Sequence, residues 1–200
     1  MANLINFDEL YKKKDHVKYI NDYETELVED AKGRYRKRVK YIGPYIHFNE
    51  SLKTLRIKFI IADMFAILTA LLLVGANRVP HTTGGWLFTM LPLLAALFPG
   101  LYLIMGVFSL PMNGKPMQRD RYMHSMIRAF RSSAAIIVFM IVVLISGLVY
   151  RLLMSDWEFL KGDIIFMICV IMAAFLSAGL ILVLRLVNID ERELINKGGV

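Results

Sequence analysis

Four long apolar stretches, Ile57 to Ala76, Trp86 to Leu110, Ala134 to Tyr150 and Ile164 to Val187, follow a polar opening of about 50 residues. A helix crosses a bilayer core with about 20 mostly apolar residues, and each stretch meets or nearly meets that length with almost no charge inside it. The pattern predicts an all-α polytopic membrane protein, a four-transmembrane-helix bundle with spans at about 55–77, 86–110, 132–152 and 163–187. Residues 51–190 make the membrane domain, residues 1–50 a cytoplasmic amphipathic region and its interfacial linker, and residues 191–200 a short cytoplasmic tail.

In the polar opening, Ile20, Tyr23, Leu27, Ala31, Tyr35, Val39 and Ile42 recur at helical spacing. That spacing predicts an amphipathic helix from His16 to Ile42. Its charges are ordered along the axis, with Asp22, Glu24, Glu26, Glu29 and Asp30 ahead of Lys32, Arg34, Arg36, Lys37, Arg38 and Lys40. A helix macrodipole favours that order, while Gly33 weakens the middle by about 1 kcal/mol relative to Ala. Arg34, Arg36, Lys37, Arg38 and Lys40 are its expected lipid contacts, each cation worth about 1 kcal/mol at an anionic surface. Docking on another protein is the competing reading of the same segment. Gly43-Pro44 ends the helix, Tyr41, Tyr45, His47 and Phe48 form an aromatic interfacial anchor, and Asn49 or Ser51 caps the first span.

The second span contains Pro92, Pro99, Gly100 and Gly106, so it is expected to kink. After it, Asn113-Gly114 supplies a turn and Pro116 a first helical position, so the third helix starts near Met117, well before it enters the bilayer. Arg128 and Arg131 lie three apart on that helix and are expected to snorkel to headgroup phosphates. Ala62, Ala66 and Ala70 in span one, and Ala173, Ala174, Ser177, Ala178 and Gly179 in span four, are small residues that let helices approach closely. An internal contact is the favoured use of them.

Charge sets the orientation. Thirteen lysines and arginines precede the first span and five more, Lys115, Arg119, Arg121, Arg128 and Arg131, separate spans two and three. The positive-inside rule then places both termini in the cytoplasm, with a plasma (inner) membrane as the location. The net charge of +7 is explained by anionic inner-leaflet headgroups, without nucleic acid. A single cysteine, Cys169, excludes an intrachain disulfide and a cysteine metal cluster. His16, His47, His81 and His124 are scattered, and neither a nucleophile elbow, a phosphate loop nor a zinc-protease motif occurs, so the chain reads as non-catalytic and without a cofactor.

Asp63 is the one ionisable group well inside a span, six residues past Ile57 or roughly 9 Å deep. An unpaired aspartate at mid-membrane costs about 3 kcal/mol, so a partner is expected. Phe59, Ile60, Ala66 and Ile67, one turn away, offer none. Arg185 near the end of span four is the favoured partner in an Asp63–Arg185 bridge, with Ser132 and Ser133 next. A proton or cation site at Asp63 is the alternative. From these features the chain is read as an accessory or assembly subunit of a larger membrane complex, with a membrane-protein partner or a homo-oligomer as its company. The alternative is a small oligomeric transporter or channel using Asp63.

Overall fold

The computed structural model describes residues 22–29, 35–79, 86–154 and 160–192. Four helical segments are long and apolar enough to cross a membrane, over Leu52–Ala76, Leu87–Phe108, Arg119–Leu153 and Lys161–Arg185. These match the four spans expected from hydropathy, because a segment apolar on all sides admits no other backbone-satisfying element in lipid.

The first helix, α1 (Leu52–Ala76), starts at Ser51, whose hydroxyl accepts from the Thr54 amide at 3.2 Å, the cap anticipated from sequence. The second span is two helices, α2 (Leu87–Ala95) and α3 (Leu97–Phe108), meeting at Ala96. Pro92 lies inside α2, whereas Pro99 falls in the first turn of α3, where its missing N–H costs no helical bond. The chain then turns through Gly114 at φ 62°, a left-handed position that suits glycine. From there α4 (Arg119–Met154) runs 36 residues and α5 (Leu160–Arg185) returns antiparallel to it.

The helices pack as a ring, with α1 against α3 and α5, and α4 against α2, α3 and α5. Lipid offers no hydrophobic drive for this, so close backbone approach has to supply the packing energy. On α1, Ala62 and Ala66 are fully buried, and on α5 Ala173 and Ser177 are. A Cβ at Gly179 would stand 2.9 Å from the Phe65 ring, so the small-residue stripes meet inside the bundle. The α3–α4 crossing is tighter still: a Cβ at Gly106 would come within 2.9 Å of the Ala129 backbone nitrogen. Outward positions such as Met64, Leu71, Phe98, Ile145 and Phe175 are large, apolar and exposed, as a lipid-facing surface requires.

The segment from His16 to Ile42 departs from expectation. Its described part is a β-hairpin, β1 (Tyr23–Glu29) antiparallel to β2 (Tyr35–Tyr41), and not an amphipathic helix. Residues 16–21 and 30–34, Arg34 among them, lie outside the described residues. The reason is visible in the register. Tyr23, Leu27, Tyr35 and Val39 are four apart, a spacing that fits a helix face but equally keeps to one side of a strand of period two. The acid-first, base-second order is an antiparallel ladder, with Glu24 opposite Lys40 and Glu26 opposite Arg38.

A second departure from an all-α chain is a three-stranded antiparallel sheet of order β4–β3–β5. Its centre is β3 (Tyr45–Phe48), the stretch read as an interfacial linker, flanked by β4 (Met117–Gln118) and β5 (Ile189–Arg192). Tyr45 pairs with both Gln118 and Arg192, and Ile46 at its centre is fully buried. The sheet therefore joins, at one end of the bundle, the chain entering α1, the chain entering α4 and the chain leaving α5.

Candidate functional site

The sheet end gathers most of the polar chemistry. Glu50 is its hinge: Oε1 accepts from Lys58 Nζ at 2.6 Å and from the Asn188 amide at 2.7 Å. Lys58 also donates to the Leu186 carbonyl at 2.6 Å, so one ion pair fastens the start of α1 to the end of α5. Phe48 stacks edge-on against Phe59 of α1 and Tyr122 of α4, both at 5.9 Å, closing the bundle beneath the sheet.

The hairpin is fixed to this platform only at its root. Tyr41 packs edge-on against Tyr23 and Tyr45, each at 5.2 Å, donates its hydroxyl to the Pro44 carbonyl at 2.7 Å and accepts from the Arg119 amide at 3.1 Å. Tyr23 donates to the Asp120 carboxylate in the first turn of α4. The Ile42 and Gly43 amides both donate to the Asp22 carbonyl. The aromatic cluster predicted as a lipid anchor thus serves as the hairpin's hinge. Partial burial, then the Asp120 hydrogen bond, push the Tyr23 phenol up to about 12, and burial raises Tyr41 as well. Because the Tyr23 value lies above the ordinary value of 10.0, its contribution to docking is intact below pH 10 and is lost as pH rises through about 12. A tyrosine absorbance titration should therefore lose one late-ionising phenol in Tyr23→Phe; an unchanged curve would refute the hinge.

Above the root the two hairpin faces differ. One side carries Glu24, Glu26, Arg38 and Lys40, and Lys40 Nζ bonds Glu26 diagonally at 3.1 Å. The other carries Leu27, Tyr35 and Val39, exposed by 67%, 70% and 62%, with Lys37 among them. So the cations read as lipid contacts of one helix are divided. Arg36, Arg38 and Lys40 belong to the ladder face, and Lys37 to the apolar one.

Arg128 and Arg131 are exposed on α4, where Arg121 and His124 extend the same face at three- and four-residue spacing. At the opposite end of the bundle, Arg151 at the end of α4 pairs with Asp163 in the first turn of α5. Nearby, a groove of about 450 Å³ between α2 and α4 is walled by Trp86, Phe88, Leu91, Val142, Ile145 and their neighbours. It has almost no polar wall, so it suits an acyl chain better than a reacting substrate.

Asp63 lies on the inner face of α1, 7% exposed, while Ile60, Met64 and Ile67 on the other side are exposed. Neither carboxylate oxygen has a hydrogen-bond partner. The expected bridge to Arg185 is absent. Contacts of Lys58 with Leu186 and of Phe65 with Gly179 set Asp63 level with Ile181, one turn from Arg185, whose side chain lies on the exposed face of α5. One group points into the bundle and the other out of it. Ser132 is buried too, and the buried Ser133 hydroxyl is without a partner, so it does not hold Asp63 either. Hydropathy located Asp63, but only helix rotation could tell that Arg185 faces away.

Among the described residues, no three His, Cys, Asp or Glu side chains gather where a metal ion would bind. Comparison of the chain with protein-family models, curated proteins and solved structures finds no match.

Proposed function

We propose that the protein is an integral membrane protein acting as a non-catalytic accessory or assembly subunit of a larger membrane complex. Its basic end and both termini lie on the cytoplasmic side of a plasma (inner) membrane. The observation that carries this reading is the hairpin, hinged at Tyr23 and Tyr41 and presenting exposed Leu27, Tyr35 and Val39 beyond the bundle. A two-stranded ribbon is marginally stable alone, and one that keeps large apolar groups in water gains by covering them. A membrane-protein partner that brings an apolar strip and acidic groups to Lys37 fits this face. Arg128 and Arg131 meet anionic inner-leaflet headgroups.

The distribution of polar groups supports the same reading over a transporter or channel. A pathway at the depth of Asp63 needs further polar side chains along it. Thr89 instead pairs with Ser146 at 2.9 Å, and Ser177 bonds back to the Ala173 carbonyl at 2.9 Å. These hydroxyls satisfy helix–helix and intrahelical bonds.

The test is affinity purification from native membranes in mild detergent, comparing the protein with a Leu27→Lys, Val39→Lys double variant. The expected result is a stoichiometric partner with the unaltered protein, lost with the double variant although its bundle stays monodisperse. Retention of the partner by the variant would move the contact elsewhere, and a protein that elutes only with itself would end the accessory reading.

A further inference from the structure

The bundle holds a carboxylic acid with nothing to satisfy it, and a line of polar groups leads to it from the basic end. We propose that Asp63 is a proton-binding site, reached from that end through Glu50 and Tyr122. This goes beyond the accessory role and needs no open pore.

Both Asp63 oxygens are buried without a partner, and a bare carboxylate in that position is far costlier than the neutral acid. A metal cation would require several oxygens around it, whereas Phe59, Ile60, Ala66 and Ile67 one turn either side are apolar. A proton needs only one oxygen. It converts the carboxylate to a carboxylic acid with no further reactant.

The route follows from packing. Phe48 lies edge-on against both Phe59 and Tyr122, which brings the Tyr122 ring to the turn of α1 that leads from Phe59 to Asp63. Tyr122 is 1% exposed and its hydroxyl has no partner. Glu50 acts on Tyr122 electrostatically, and its Oε2 is likewise buried and unpartnered, although Oε1 is held by Lys58 and Asn188. Glu50, Tyr122 and Asp63 are thus three acid groups with unused oxygens, descending from the sheet into the bundle. Of the other charged groups at this end, Lys58 is engaged by Glu50, and Arg185 of α5 is on the exposed face. The α3 segment contributes no acid or base but the outward Tyr102.

The experiment uses the full chain in liposomes and dicyclohexylcarbodiimide, an apolar reagent that adds to protonated buried carboxyls. Mass spectrometry is expected to find the adduct on Asp63, with labelling that declines as pH rises and is lost in Asp63→Asn. Should Asp63→Asn fail to fold, Asp63→Glu serves, the adduct moving to its longer side chain. Tyr122→Phe is expected to leave Asp63 reactive but to slow its response to a pH jump by at least about tenfold. No adduct at Asp63, or labelling indifferent to pH, overturns the site. An unchanged response in Tyr122→Phe overturns the route.

Discussion

Gly106→Leu is expected to destabilise the bundle by at least about 3 kcal/mol, the upper part of the usual overpacking range. The first atoms a side chain meets there are backbone: Ala129 N at 2.9 Å and Ser125 O at 3.2 Å. Backbone cannot rotate aside as a side chain would. The α3 and α4 axes would have to separate, and that would stretch the 2.6 Å bond from Ser109 to Ser125 and the packing on either side of it. Gly106→Ala places the same first carbon without the bulk, so it should fall between the two. Unfolding in mixed detergent micelles, followed by circular dichroism, reads the series. A leucine variant as stable as the parent would mean that this crossing is not where the helices are held.

The second large effect lies at the opposite end. Arg151→Leu removes the partner of Asp163, whose side chain is only 9% exposed. Breaking one half of a buried pair costs about 3–5 kcal/mol, since the remaining charge keeps its desolvation penalty without compensation. Replacing both, Arg151→Leu with Asp163→Leu, removes penalty and attraction together and is expected to recover most of the loss. This contrast separates a charge effect from the loss of arginine packing. If the double variant is no more stable than Arg151→Leu, the ion pair does not join α4 to α5. The pair was not anticipated, because Arg151 and the nearby acids read as loop charges that offset one another. Only the helix lengths, with α4 running to Met154 and α5 beginning at Leu160, place Arg151 and Asp163 in facing turns.

The Asp63 and hairpin outcomes bear on each other. If the hairpin variant loses its partner and Asp63 still titrates, the proton site belongs to the chain itself. If Asp63 titrates only with the partner bound, the complex completes the route.

What the sequence determined by itself is the set of spans and their local punctuation. Run length and absence of charge specify a membrane-crossing helix because lipid leaves the backbone no other way to bond, so Leu52–Ala76 and the other three were legible residue by residue. Ser51 as a cap, the turn at Gly114 and the break in the second span were legible too, since each depends on the backbone within a few residues. The hairpin was not legible. Tyr23, Leu27, Tyr35 and Val39 fit a helical stripe and a strand face equally, and the charge order suits a macrodipole as well as a cross-strand ladder. The choice between them was made by distant residues: Asp120 at the start of α4 and the Arg119 amide, which fasten Tyr23 and Tyr41. The same holds for Asp63. Its depth is a one-dimensional property, but its partners depend on the rotation of α5 about its axis, set by Gly179 against Phe65 and Lys58 against Leu186. Those contacts turn Arg185 outward and leave the acid alone in the bundle.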